Sequence, residues 1–313
     1  GCDVVFQIGT GKFGVRSPDG SLSDEKLKNI SSIENVKMIE IKLSQGAKPG
    51  KGGMLPGAKV TAEIALIRGL EIGQDAISPN RHEELSNSED LLDMIVKVRS
   101  IAQKPTGFKA VISSEEWLDE LFSAINKRGL DSAPDFISVD SADGGTGAAP
   151  MSLMDDVGLS VKESLPMLID KLNEHGLRDR IKVNVSGKMV NPTEVAWALC
   201  IGTDFISTAR GPMFALGCIQ ALQCNKNTCP TGITTHNADL QKGLVVENKK
   251  ERVAYYLQNL EKEVRIIANS CGLKRPREFN RANARVVIGA GKSVTLDKLY
   301  PNVEQKQKSE NVR

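Results

Sequence analysis

The sequence has little of several features that would mark a special class of protein. Phe, Trp and Tyr make up only 4% of its 313 residues, so a sandwich built on aromatic cross-strand pairs is not expected. No run approaches the roughly 18 continuous apolar residues of a membrane span, and the first residues lack the basic segment of a signal peptide. The formal net charge is only +2, which argues against a nucleic-acid or anionic-membrane partner. We therefore expect a globular cytoplasmic protein.

Three of the six cysteines are scattered along the chain and are interpreted as small buried side chains. The other three lie within twelve positions, at Cys218, Cys224 and Cys229. Without a secretory signal a disulfide framework is a poor explanation, so this group indicates metal or redox chemistry. Three close thiolates can hold an iron–sulfur cluster, and Pro230 resembles the Cys-Pro ending of ferredoxin-type runs. Zinc with His236 as a fourth ligand is the alternative, although the spacing matches no common zinc-finger pattern.

Short apolar strands alternate with helical segments along most of the chain. The predicted strands are 4–8, 37–43, 108–112, 136–139, 181–185 and 205–208. The stretch between the first two strands is predicted as polar turns up to Asn35. Ser113 with Glu116 predicts a capping box that opens a helix, which Gly129 ends. Asn191 predicts the cap of another helix.

Repeated β–α units predict a parallel sheet whose function lies at the carboxyl ends of its strands. Unusual residues follow several strands, which favours a (β/α)8 barrel over a doubly wound sheet with a single switch point. Such a barrel needs eight strands, and only six are found in the sequence.

Glycine-rich loops follow the later strands. Clustered glycines in the loop 143–147 would let backbone N–H groups approach a planar or phosphorylated ligand. The simpler alternative is that the loop is only a mobile connector. Similar loops recur at 187–188 and 209–211, where a barrel commonly binds phosphate. Arg210 adds a fork of donors suited to phosphate, so a phosphorylated cofactor is predicted. The G-x-G-x-x-G match at 9–14 is followed by a turn sequence, so no NAD site is predicted.

Several cations are candidates for binding a charged ligand. Lys109 lies inside an apolar strand and points either outward over a helix or into the barrel mouth, where it would stabilise a reduced cofactor ring. Gln45, Lys48 and Arg68 cluster on and after the second loop, and Lys with Arg suits a substrate with carboxylates. For Arg68 a solvated helix charge is the alternative.

Four stretches of the sequence, in the same order, resemble the synthase (FMN-binding) domain of glutamate synthases. They are KLSQGAKPGKGGMLPGAKV, ISPNRHEELSNSEDL, DGGTGAAP and ARGPMFALGCIQALQCNKNTCPTGITT. The resemblance is greatest to the short stand-alone branch of that family. It implies an α/β (β/α)8 TIM barrel of the FMN-dependent type. The implied division is a partial barrel with strands 3–8 over 1–217, an iron–sulfur cluster loop over 218–236, a C-terminal helical extension over 237–300 and a polar tail over 301–313.

The resemblance also implies site residues, cofactors and a reaction. The residues implied to surround FMN are Lys109, Gly144, Gly145, Thr146, Gly187, Lys188, Ala209, Arg210 and Gly211. Those implied to contact the carboxylates of 2-oxoglutarate or 2-iminoglutarate are Gln45, Lys48 and Arg68. The implied ligands of a [3Fe–4S] cluster are Cys218, Cys224 and Cys229.

In the implied reaction ammonia condenses with 2-oxoglutarate, and electrons pass through the cluster to FMN, which delivers hydride to give L-glutamate. Lys109 would offset charge on the flavin, while Lys48 and Arg68 would orient the acceptor. The implied catalytic residues are Lys48 and Lys109. The implied partners are an electron donor, either ferredoxin or an NADPH-oxidising protein, and an amidotransferase that supplies glutamine-derived ammonia. A homo-oligomer is a further expectation.

Three departures from the family pattern are visible. Met54 stands where the large enzymes have Gln, which removes a hydrogen bond to the acceptor. No amidotransferase domain is present, so ammonia is expected from solution or from a partner chain. The first two β/α units, with another glycine-rich flavin loop, are missing. We therefore expect an open or domain-completed barrel with an exposed sheet edge on each side of the gap, and low stability or self-association.

Two alternative functions are considered. One is an FMN barrel oxidoreductase that acts on a hydroxy acid or another imine, and the other is an inactive fragment.

Overall fold

Helices and strands alternate through the first two thirds of the chain in a computed structural model that describes residues 1–145, 147, 149–154 and 156–301. The elements up to residue 140 are β1 (Val4–Ile8), α1 (Asp24–Ser32), β2 (Val36–Lys42), β3 (Met54–Leu55), α2 (Ala62–Arg68), β4 (Ala76–Ile77), α3 (Ser88–Ala102), β5 (Thr106–Ala110), α4 (Glu115–Arg128) and β6 (Phe136–Asp140). The later elements are α5 (Val161–Glu174), β7 (Lys182–Ser186), α6 (Pro192–Ile201), β8 (Phe205–Ser207), α7 (Arg210–Leu216), α8 (Ala238–Gln241), α9 (Val246–Ser270), β9 (Arg285–Gly289), β10 (Lys292–Thr295) and α10 (Leu296–Leu299).

Six parallel strands form one curled sheet, in the order β1-β2-β5-β6-β7-β8. The helices that connect them pack on its outer face, so the described residues form half of a barrel. The predicted α/β class and the parallel sheet of a partial barrel are therefore confirmed. Strands β1 and β8 are the two edges of this sheet, and exposed Val4, Val5 and Phe205 lie on them.

The two faces of the sheet differ in chemistry because successive side chains of a strand point to opposite sides. The outer face is apolar and fully buried under the helices; it includes Ile39, Ile41, Phe108, Ile137, Val139, Val183 and Val185. The inner face is polar and hydrogen-bonded from strand to strand. Gln7 donates to Glu40, and the Asn184 amide donates to the hydroxyls of Ser138 and Ser207. The polar inner face leads up to the ends of the strands, where function was predicted.

The structure corrects several local predictions. The stretch predicted as polar turns contains α1, which Ser23 caps by accepting from the N–H of Lys26 and which buries Leu27. The strand predicted at 108–112 runs over Thr106–Ala110. The helix α4 is capped by Ser114 rather than Ser113, although it does end at Gly129 as predicted.

The outcome of the other local predictions is mixed. The Asn191 cap of α6 has the predicted place, with Glu194 completing a capping box. The region 237–300, predicted as helical, holds the long helix α9 but also the antiparallel hairpin β9–β10. Cys200 is buried as predicted, whereas Cys2 and Cys271 are exposed, so the buried interpretation of those two was wrong.

Two smaller units flank the sheet. The short strands β3 and β4 pair antiparallel and cover a small core with α2. The C-terminal hairpin and α10 are held against α5 by a buried ion pair, in which Arg281 Nη2 lies 2.6 Å from Asp170 Oδ1. Among the described residues no helix has the length and apolarity to cross a membrane.

Candidate functional site

A cavity of about 590 Å³ lies at the carboxyl ends of β5, β6, β7 and β8. Its volume falls within the range of about 300–1,000 Å³ that is typical of small-molecule sites. It gathers most of the residues that the sequence singled out: Gln45, Lys109, Gly144, Gly145, Gly187, Lys188, Ala209, Arg210, Cys218, Cys224 and Cys229. Residues from five separate segments therefore meet at one place, as a site at the top of a parallel barrel requires.

Three of the predicted site residues do not line this cavity, and a fourth is not described. Lys48 is buried, and its ammonium donates to the carbonyl of Gly52 at 3.3 Å. Arg68 ends α2 with its guanidinium 4.8 Å from the centre of the Phe13 ring. Gly211 is buried in α7, against α9. Thr146 lies outside the described residues. The roles assigned to these four residues stay predictions.

Gly211 faces helix α9 rather than the cavity. A Cβ atom at this position would lie 1.9 Å from the hydroxyl of Tyr256, which itself donates to the carbonyl of Val190. A glycine is therefore needed here so that α7 and α9 can pack closely. Through α7, this contact fixes the position of the neighbouring Arg210.

The glycine-rich loop after β6 packs against both Arg210 and the cysteine segment. A Cβ atom on Gly145 would lie 2.2 Å from Arg210 Nη2, and one on Gly147 would lie 2.5 Å from Cys224 Sγ. The short distances to Cys224 disfavour a side chain at Gly147, whereas at Gly145 the close neighbour is the movable end of Arg210. Both glycines lie on the wall of the cavity, where the N–H groups of the loop can reach a ligand.

Two cations follow β7 and β8 at the predicted phosphate position. Lys188 has a left-handed backbone with φ of 46°, directly after Gly187. Arg210 is the first residue of α7, with Ala209 as its N-cap. Both side chains line the cavity, and a guanidinium can bind a phosphate through two parallel hydrogen bonds. The residues present therefore fit the phosphate of a flavin nucleotide.

Lys42 is a functional candidate that the sequence reasoning missed. It is the last residue of β2, and it is paired in register with Lys109 of β5. Its ammonium donates to the side-chain oxygen of Gln45 at 2.9 Å. Burial, together with the charges of Lys109 and Lys48, lowers the pKa of Lys42 to about 8. Its position next to the end of the predicted strand 37–43 is the one signal in the sequence that indicates a role.

Asp140 is a second candidate that the sequence analysis did not name; it directly follows the predicted strand 136–139 and is the last residue of β6. Its Oδ2 accepts from the backbone N–H of Gly46 at 3.1 Å, and its Oδ1 accepts from the hydroxyl of Ser186 at 2.8 Å. The same Oδ2 lies 3.9 Å from the ammonium of Lys109. Asp140 thus connects the loop after β2, the end of β7 and the ammonium of Lys109. The sequence left the direction of Lys109 open, and in the structure its side chain faces the cavity.

The three clustered cysteines are partly exposed and face the same cavity. Burial raises the pKa of Cys229, but hydrogen bonds from Thr231 and Thr234 outweigh it and lower this pKa to about 6. Cys229 Sγ lies 3.4 Å from the hydroxyl of Thr231. Because thiolates are the ligating form, a cysteine that is ionised near neutral pH fits a metal ligand.

A single-ion site is not assembled in the described part of the chain, where no three His, Cys, Asp or Glu side chains are placed to hold one metal. Three cysteines that line one cavity agree in number and kind with the ligands of an iron–sulfur cluster.

The fold is shared with solved oxidoreductase structures. One example is a flavocytochrome b2 variant, with a TM-score of 0.50 and 15% sequence identity over 88% of this chain and 52% of that one. At so low an identity the likeness establishes the fold alone.

Sequence comparison identifies the family. The conserved region of glutamate synthases matches residues 2–274, so the chain belongs to the glutamate synthase family. It is 43% identical to the glutamate synthase large subunit-like protein YerD of Bacillus subtilis, over 96% of this chain and 56% of that protein. It is 34% identical to the archaeal glutamate synthase [NADPH] of Methanocaldococcus jannaschii, over 92% of this chain and 53% of that enzyme. The chain thus spans about half the length of these relatives.

Proposed function

We propose that this chain carries the FMN and iron–sulfur part of a glutamate synthase, which reduces 2-iminoglutarate, formed from 2-oxoglutarate and ammonia, to L-glutamate. The observation that carries the proposal is the single cavity in which Lys109, Arg210 and the cysteine segment meet. Membership of the family and the names of its relatives support the same reaction.

The proposed cofactors supply the redox chemistry: bound FMN provides a hydride, and a [3Fe–4S] cluster provides its electrons. This chain's residues hold the two groups. Arg210 and Lys188 would hold the flavin phosphate, and the backbone around Gly145 and Gly187 would line the rest of the flavin site. The ligands of the cluster are Cys218, Cys224 and Cys229.

Around the reacting centre, the chain's main task is to bind negative charge. Lys109 offsets charge on the flavin, and Asp140 holds that ammonium in place. Lys42, together with Gln45, presents a cation to one carboxylate of the acceptor. Lys48 lies on the same loop and is proposed to orient the acceptor. For Arg68 to contact the acceptor, its guanidinium would have to move away from the ring of Phe13.

Met54 does not block this reaction in the proposal. Its side chain is 56% exposed in β3 and offers no hydrogen bond to an acceptor. The cations at Lys42 and Lys48 then carry more of the recognition of a dicarboxylate.

The remaining reactants come from outside the chain. Relatives named glutamate synthase [NADPH] favour NADPH as the source of electrons, delivered by a donor protein, with ferredoxin as the other candidate. Ammonia comes from solution or from an amidotransferase partner.

The test is to load the chain with FMN and, without oxygen, with iron and sulfide, and then to supply 2-oxoglutarate, ammonium and a chemical reductant. We expect retained flavin absorbance and formation of glutamate. A chain that binds no FMN would contradict the enzyme proposal for this polypeptide. A chain that binds FMN and turns over a hydroxy acid, but forms no glutamate, would favour the other barrel oxidoreductase.

Binding of 2-oxoglutarate is expected to weaken as the pH rises through about 8, the lowered pKa of Lys42. Below that pH the side chain is an ammonium, and above it an uncharged amine, while both acceptor carboxylates stay ionised. Losing one charged hydrogen bond removes about 1.5–3 kcal/mol, or about tenfold or more in affinity. The measurement is a titration of the flavin spectrum with 2-oxoglutarate, from about pH 7 to about pH 9.

Lys42→Met should bind weakly throughout and lose this inflection, whereas Lys28→Met, an exposed change on α1, should keep it. An inflection that persists in Lys42→Met would assign the titration to another group.

A further inference from the structure

Lys59 is a buried lysine that joins two loops of the site. It is the last residue of the 3-10 turn Gly57–Lys59, and only 8% of its surface is exposed. Its ammonium donates to the carbonyl of Cys224 at 2.7 Å and to the carbonyl of Thr234 at 2.8 Å. These two carbonyls lie on either side of Cys229. One side chain therefore holds both flanks of the segment that carries the last two clustered cysteines.

The charge of Lys59 has no carboxylate partner among the ion pairs of the described residues. A buried ammonium is unfavourable unless polar groups surround it, and here backbone carbonyls fill that role. Carbonyls orient the ammonium without neutralising it. The ammonium of Lys59 thus lies directly against the backbone of the cysteine segment.

The Cys224 contact reaches a proposed cluster ligand directly, because the carbonyl that accepts from Lys59 belongs to Cys224 itself. Thr234, which carries the second acceptor, lines the same cavity as Cys224 and Cys229. Movement of the Lys59 ammonium would therefore displace the backbone at Cys224 and at Thr234.

We propose that Lys59 is a positioning residue for the iron–sulfur cluster, which fixes the backbone at Cys224 and Thr234 and places a positive charge beside the cluster. The inference rests on the proposed function, because it needs the three cysteines to be cluster ligands. Hydrogen bonds and net charge around a cluster set both its retention and its reduction potential. A nearby cation favours the more negative, reduced state.

The test compares three variants of the 313-residue chain, loaded with FMN and, without oxygen, with ferrous iron and sulfide. Lys59→Met keeps the approximate length of the side chain but removes its charge and its hydrogen-bond donors. Lys59→Arg keeps the charge and the donors. Lys226→Met removes an exposed lysine from the same segment and controls for a general loss of charge. The readouts are iron and sulfide content, the electron paramagnetic resonance of the oxidised cluster, its midpoint potential and far-ultraviolet circular dichroism.

We expect Lys59→Met to lower the affinity for the cluster about 10–100-fold, as the loss of an outer-shell partner does, and to lower the potential of any cluster that remains. Lys59→Arg should recover most of the content, and Lys226→Met should match the unchanged chain. If Lys59→Met fails to fold, Lys59→Gln decides, because it keeps a donor but no charge: a lowered midpoint potential in the loaded variant supports the inference, and a potential equal to that of the unchanged chain overturns it.

Two results distinguish the inference from the proposed function. If the unchanged chain takes up no cluster, the proposed function and the inference fail together. If that chain is loaded and Lys59→Met has the same iron content, spectrum and potential, the inference alone is overturned. An equal loss in Lys226→Met would also overturn it, because the effect would then be one of charge and not of position.

Discussion

Cys229→Ser is expected to abolish binding of the iron–sulfur cluster, while Cys271→Ser leaves it intact. The pKa of Cys229 lies near 6, so its sulfur is mostly a thiolate at neutral pH, and a serine hydroxyl is not ionised there. Losing a direct ligand should exceed the roughly 10–100-fold that is typical of losing an outer-shell partner. The measurement is iron and acid-labile sulfide per chain after anaerobic loading, with the cluster's absorbance as a second readout.

The control residue, Cys271, has the same side chain but lies away from the proposed cluster site. Cys271 is exposed at the end of α9 and does not line the cavity at the strand ends. Equal iron in Cys229→Ser and the unchanged chain would contradict the ligand assignment. One zinc per chain, in place of iron and sulfide, would contradict the kind of metal centre.

The parallel half-barrel could be predicted because its strands carry an unambiguous pattern. Runs such as 181–185 are apolar on the face that the helices cover, and glycine or a capping residue ends each unit. Helix α1 escaped prediction because only Leu27 and Ser31 in it are buried, which leaves little apolar periodicity. The hairpin β9–β10 was missed although Val286, Val287 and Ile288 form an apolar run, because the run is short and does not alternate with polar residues as a half-buried strand does.

The site was predicted through its motifs but not through its supporting contacts. Glycines, Arg210 and the cysteines stand out locally, whereas Lys42 and Asp140 owe their importance to neighbours on other strands. Lys59 is the clearest case, because its two partners lie 165 and 175 positions away in the chain. Burial and long-range hydrogen bonds are tertiary properties, and no local pattern encodes them.

Arg210→Met is expected to release FMN under conditions in which the unchanged chain retains it. The guanidinium faces the cavity from the start of α7, beside Lys188, and Gly145 leaves room for it. Losing a charged, paired hydrogen bond to phosphate removes about 1.5–3 kcal/mol, or about 10–100-fold in affinity. Quenching of flavin fluorescence in an equilibrium titration measures the effect. Arg265→Met, on the exposed surface of α9, is the matched control.

Riboflavin separates the role of Arg210 in phosphate binding from a general effect on the site. It carries the same ring system as FMN but no phosphate, so its binding should change little in Arg210→Met. The affinity of Arg210→Lys for FMN should lie between those of the unchanged chain and of Arg210→Met, because an ammonium keeps the charge but cannot form two parallel hydrogen bonds. If FMN and riboflavin lose affinity equally, Arg210 supports the fold of the glycine-rich loop rather than the phosphate, and the phosphate site must lie elsewhere on the cavity wall.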